Sequence, residues 1–89
     1  MIAQMFNHSE WIENTDPLYL NKYYEKYLLD SGFKILNIID YHFEPQGYTA
    51  LYLLSESHFA IHTFPEESRT YIELSSCIEA PFNKFTNKN

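Results

Sequence analysis

The 89 residues carry 12 acidic and 6 basic side chains, a formal net charge of −6, and the few lysines and arginines are too scattered for a nucleic-acid footprint. A chain this short makes one small domain that buries only about 60% of the surface its unfolded form exposes, so its 8 Tyr and 7 Phe imply that a partner subunit covers some of the rings. The single cysteine, Cys77, excludes an internal disulfide and a cysteine-rich zinc site.

No apolar run approaches the roughly 18 residues of a membrane span, and the opening MIAQMFNHSE lacks the basic and apolar regions of a signal peptide. A cytoplasmic protein that binds neither membrane nor nucleic acid is expected. In chain order, residues 2–6 (IAQMF) predict a short strand. Asp16 followed by Pro17 predicts a helix start. Leu20, Tyr24, Tyr27, Leu28 and Ser31 then share one helical face, and Gly32 supplies a left-handed stop, giving a helix over 17–31.

Residues 33–43 predict a strand, EPQG at 44–47 a turn, and 48–54 the returning strand. A second pair follows, with strands over 58–64 and 70–77 around a turn at 65–69. The tail, PFNKFTNKN, is polar and aperiodic and is expected to fray. The order β-α-β-β-β-β describes an α+β fold: a two-layer sandwich with a largely antiparallel sheet and one helix on one face. The other face, or an edge, is left open.

The densest polar grouping is Ser55-Glu56-Ser57-His58, followed by His62, Thr63, Glu66 and Cys77. It matches neither H-E-x-x-H nor G-x-S-x-G. His58 and His62 on one strand lie about 13 Å apart, so no metal centre is expected. With a turn centred on Glu67, residues whose numbers sum to 134 oppose one another: Phe64 faces Thr70, His62 faces Ile72 and Ser57 faces Cys77. Ser57 and His62 differ by five, so a regular strand sends them to opposite faces. One reaction using both needs a broken strand or two subunits.

The stretch GYTALYLLSESHFAIHTFPE (47–66) strongly resembles the motif of the bacterial S-adenosylmethionine decarboxylase proenzymes, E-S-H-x-x-I-H-T-aromatic-P-E. Glu56, Ser57, His58, Ile61, His62, Thr63, Phe64, Pro65 and Glu66 fill it. The family's cysteine falls on Cys77, and its F-x-P-x-G segment on Phe43, Pro45 and Gly47. The resemblance implies that Ser57 attacks the carbonyl of Glu56, turning the peptide bond into an ester. Elimination and hydrolysis then leave a β chain, 1–56, and an α chain, 57–89, that begins with a pyruvoyl group made from Ser57. That group forms a Schiff base with the substrate amine and draws off electrons as CO2 leaves. Decarboxylated S-adenosylmethionine would supply spermidine synthesis.

By the same resemblance, His62 removes the serine α-proton, Thr49 assists the ester stage, and Cys77 returns a proton to the substrate. Glu66 binds the ribose hydroxyls, and Phe43 and Phe64 are the aromatic substrate contacts. The cleavage serine and cysteine come from one subunit of a homodimer and the other groups from its partner, so each dimer has two shared sites. Further stacking of dimers stays open.

The sequence departs from the pattern in places. Members continue well past the cysteine with a second helix and another strand, whereas 12 residues follow Cys77 here, which reads as a short, C-terminally truncated member. Ile78 stands for the usual glycine, Phe64 for tryptophan, Met5 for a carboxylate, and Glu67-Ser68-Arg69 for a turn ending Gly-Tyr. Two other functions therefore stay open: a pyruvoyl decarboxylase of arginine or ornithine, and a non-cleaving paralogue that binds S-adenosylmethionine or pairs with a full-length homologue.

Overall fold

The computed structural model describes residues 2–87. Its elements run β1 (Phe6–Ile12), α1 (Pro17–Ser31), β2 (Ile35–His42), β3 (Tyr48–Leu54), β4 (Ser57–Phe64), a 3-10 turn (Pro65–Glu67), β5 (Arg69–Ser76) and α2 (Glu79–Thr86). The strands form one antiparallel sheet in the order β1-β5-β4-β3-β2. The β1-α1-β2 passage carries the chain from one edge of the sheet to the other, and the rest fills in between.

The ends of α1 follow the local chemistry. Asp16 accepts the Leu18 N–H at 3.3 Å, and Gly32, at φ 106, turns its own N–H to Leu29 O and that of Phe33 to Leu28 O, both at 3.0 Å. Only a residue without a Cβ takes this conformation cheaply. Leu20, Tyr24, Leu28 and Ser31 are the buried positions of the helix. They pack on Ala50, Tyr52 and Leu54 of β3, Phe59 and Ile61 of β4, and Ile72 and Leu74 of β5. An Asp40–Tyr48–Asn21–Tyr52 chain of hydrogen bonds ties α1 to β2 and β3.

Two expectations fail. The first strand lies at Phe6–Ile12, not 2–6. The apolar run that suggested 2–6 leaves Ile2 and Met5 exposed. The true strand points His8 and Glu10 towards the helical layer, where they pair at 2.9 Å, and these polar residues hid the alternation. The tail is the second: Glu79–Thr86 forms α2 instead of fraying. Phe82 and Phe85, three apart, are its buried residues. Phe85 stacks near Tyr27 and Phe59, and its carbonyl accepts the Tyr27 hydroxyl at 2.7 Å. A helix this short is unstable alone and is held by those two rings, so two helices cover the inner face.

Among the described residues no helix covers the outer face. Leu51 and Leu53 of β3 and Ile39 and Tyr41 of edge strand β2 are exposed, and an apolar groove of about 340 Å³ lies among Ile39, Leu51, Leu53 and His58. Among the described residues no helix is long and apolar enough to cross a membrane, and no group of three metal-ligating side chains occurs.

Two stability measurements follow. Phe85→Ala opens a cavity under α2 and should cost about 3–5 kcal/mol, read as a lower urea midpoint at unchanged slope. Burial, then the nearby Glu10 and Glu25 carboxylates respectively, push the Tyr24 and Tyr52 hydroxyls above the usual tyrosine range. The folded chain therefore favours their neutral forms. Stability is intact below the ordinary value of about 10 and falls as pH rises through it, so the midpoint should drop between about pH 8 and about pH 11.

Candidate active site

The site divides between the two ends of β4. At its start, Ser55 and Glu56 make the two-residue turn joining β3 to β4, with Leu54 paired to Ser57. Glu56 sits at φ 59, a left-handed conformation that costs a residue with a side chain about 1–2 kcal/mol. Ser57 follows, buried on the helix-covered face. Its Oγ lies 2.7 Å from the Glu56 carbonyl oxygen and 2.7 Å from Ser76 Oγ.

The expected register is off by one. Ser57 opposes Ser76, His62 opposes Tyr71 and Phe64 opposes Arg69. Pro65–Glu67 and the left-handed Ser68, at φ 56, make a four-residue loop, whose centre falls between residues and not on Glu67. A slip of one exchanges the faces, so Ser76 points inward at Ser57 and Cys77 lies just past the strand. Cys77 instead meets Glu56: its N–H lies 3.4 Å and its Sγ 3.1 Å from the Glu56 carbonyl oxygen. That carbonyl is thus flanked by the serine hydroxyl, the thiol and an amide. Ser76, absent from the residues singled out in sequence, became visible only once the register was known.

At the other end of β4, Thr49 and His62 oppose one another across β3 and β4, with Thr49 Oγ1 3.1 Å from His62 Nδ1. They line a cavity of about 180 Å³ with Phe43, Phe64 and Glu66. Five residues named from the motif therefore meet in one pocket. Thr63 also lines it, and its hydroxyl is buried with no hydrogen-bond partner among the described residues. Behind Phe64 stands Trp11, 5.7 Å away between ring centres, with the Arg69 guanidinium 4.0 Å above it. Neither residue belongs to the motif: Trp11 lies on β1, beyond the strand expected at 2–6, and Arg69 opens β5 opposite Phe64.

The pocket and the serine turn do not meet. His62 faces outward and Ser57 inward, as the parity of the strand requires, and about 16 Å of strand separates them. The exposed His58 lies on the outer face beside the apolar groove.

Fold and site together describe a two-layer sandwich whose central strand opens on a strained serine turn and ends in a histidine pocket. The profile of the S-adenosylmethionine decarboxylase family matches residues 4–87, and the chain belongs to that family. It is 47% identical over 47 residues to an S-adenosylmethionine decarboxylase proenzyme of Prochlorococcus marinus, covering 53% of this chain and 38% of that protein. A Bacillus cereus S-adenosylmethionine decarboxylase proenzyme 2 is 40% identical over 63 residues, 70% of this chain and 51% of that one. The chain thus spans about half or less of these relatives' length. The adenosylmethionine decarboxylase of Aquifex aeolicus shares the fold, with a TM-score of 0.77 at 17% identity over 96% of this chain and 76% of that chain.

Ser68 gives a test of the loop that sets the register. Ser68→Gly removes the left-handed penalty and should stabilise the chain by about 1 kcal/mol, or about 4–8 °C in melting temperature. An unchanged melting temperature would show the turn to be unstrained.

Proposed function

We propose that this chain cuts itself between Glu56 and Ser57 and acts as a pyruvoyl-dependent S-adenosylmethionine decarboxylase, with two copies completing each site. The observation that carries it is the Glu56-Ser57 turn: a nucleophile beside the carbonyl of a strained residue, with Cys77 on the same carbonyl oxygen. These groups fit the formation of a pyruvoyl group from Ser57. Once formed, it supplies a ketone that takes up the substrate amine and withdraws electrons from the carbon losing CO2.

Each side chain then has a task. Ser57 Oγ attacks the Glu56 carbonyl carbon. The Cys77 thiol and amide steady the oxygen on which negative charge develops, in the manner of an oxyanion hole. His62, oriented by Thr49, takes the α-proton of residue 57 as the ester breaks down. Afterwards the Cys77 thiol, just past β5 and beside the cut, returns a proton to the substrate carbon. In the pocket, Phe43 and Phe64 offer faces to adenine and to the sulfonium cation, and the Glu66 carboxylate suits ribose hydroxyls. The thiol therefore serves before and after the cut, which widens the role expected from sequence.

His62 reaches a serine only on another chain. A two-fold axis parallel to the sheet and perpendicular to β4, lying above Ala60 on the outer face, places the His62 end of one copy over the Ser57 end of the other. The open outer face, with Ile39, Leu51 and Leu53, is the apolar surface such pairing would cover.

Intact mass after expression tests the cut. Two fragments are expected, 1–56 and a pyruvoyl-started 57–89, and a chain that stays whole on prolonged incubation overturns self-processing in favour of a non-cleaving paralogue. Cys77→Ala should slow the cut without abolishing it, since the amide remains, and should impair turnover more. Release of CO2 from S-adenosylmethionine, and not from arginine or ornithine, identifies the substrate. Co-expressed Ser57→Ala and His62→Ala chains should regain a fraction of the activity that neither has alone; no recovery would rule out shared sites.

A further inference from the structure

A buried hydroxyl outside the motif touches the cleavage serine. Ser76, the last residue of β5, is 0% exposed and opposes Ser57 across the β4–β5 ladder. Its Oγ lies 2.7 Å from Ser57 Oγ and 3.1 Å from the Ile78 carbonyl oxygen, and it accepts the Ile78 N–H at 2.9 Å. Ile78 is the N-cap of α2, and its carbonyl also receives the Phe82 N–H at 3.4 Å. Ser76 is thus fixed between the reacting serine and the first turn of the second helix.

A serine hydroxyl has one hydrogen to give, and Ser57 has two acceptors at 2.7 Å, the Glu56 carbonyl oxygen and Ser76 Oγ. The two choices differ chemically. Donation to Glu56 spends the proton on the carbonyl under attack. Donation to Ser76 draws the proton away and leaves the Oγ lone pairs free for the carbonyl carbon. Ser76 then sends its own hydrogen to Ile78 O and receives the Ile78 N–H, so every donor in the chain has an acceptor.

We infer that Ser76 is a positioning residue for self-cleavage, which rests on the reading of Ser57 as the nucleophile. It takes the Ser57 hydrogen bond and turns Oγ onto the Glu56 carbonyl carbon. In the step it assists, the Oγ–C bond forms and the C–N bond between Glu56 and Ser57 breaks. The proton lost from Oγ is matched by the one the freed nitrogen of residue 57 gains, so amide becomes ester with no atom lost. Ser76 alters none of these counts. It sets the direction of one hydrogen bond, and α2 holds it in place.

The experiment follows the cut in the full-length chain by intact mass. Ser76→Ala should slow cleavage about tenfold, the scale of one lost hydrogen bond. Ser76→Thr keeps the hydroxyl and should restore a rate within about twofold of the parent. Urea midpoints of the same substitutions in a Ser57→Ala chain, which cannot cut, measure folding separately. A merely structural role would slow cleavage only as far as those midpoints fall, with no rescue by Thr. Ser76→Cys, close in shape but a weak donor and acceptor, replaces Ala if that variant does not fold. Parental rates in Ser76→Ala or Ser76→Cys overturn the inference. A parent chain that never cuts sinks the nucleophile reading and this inference with it.

Discussion

The alternation of β4 governs the rest of the molecule. It is the middle strand of five, and its residues must face inward and outward by turns. Ser57, Phe59, Ile61 and Thr63 point to the helices and are buried, while His62 and Phe64 look out. The strand is core and reagent holder at once. An odd spacing between serine and histidine sends the two chemical groups to opposite sides and opposite ends, and no side-chain rotation bridges that separation. The sheet and the division of labour follow from the same period of two.

Much of the fold was legible in sequence because its signals are local. Asp16-Pro17 and Gly32 bound α1 through backbone chemistry that needs no tertiary contact, and β3 falls on the residues 48–54 expected after the EPQG turn. β1 was not legible, because its inward positions include His8 and Glu10, which satisfy one another and lower the apolar count. α2 was missed because two phenylalanines in a polar tail carry no pattern until Tyr27 and Phe59 are present to receive them.

The site was legible to different depths. The motif named Thr49, His62, Phe43, Phe64 and Glu66, and the fold gathers them around one cavity. The pairing of Ser57 failed by a single residue, since a loop's length cannot be read from its composition when a serine adopts a glycine-like angle. That slip changed the chemistry: the hydroxyl's neighbour is Ser76, and the thiol's neighbour is the carbonyl of Glu56. Trp11 and Arg69, behind Phe64, come from β1 and β5, two strands whose contact only the assembled sheet creates.

The order of strands gives the Glu56-Ser57 turn one more consequence. Residues before the turn supply β1, β2 and β3, and residues after it supply β4 and β5. In the sheet β5 lies beside β1, and β4 beside β3, so the later segment is clasped on both flanks by the earlier one. A break in the turn would sever one connection at the rim and leave both ladders and the helical layer in place. The two pieces would part only if both flanking ladders gave way together. The architecture therefore tolerates a nick at this position as an interlocked pair of chains, and a new chain terminus at the head of the central strand leaves the sheet assembled.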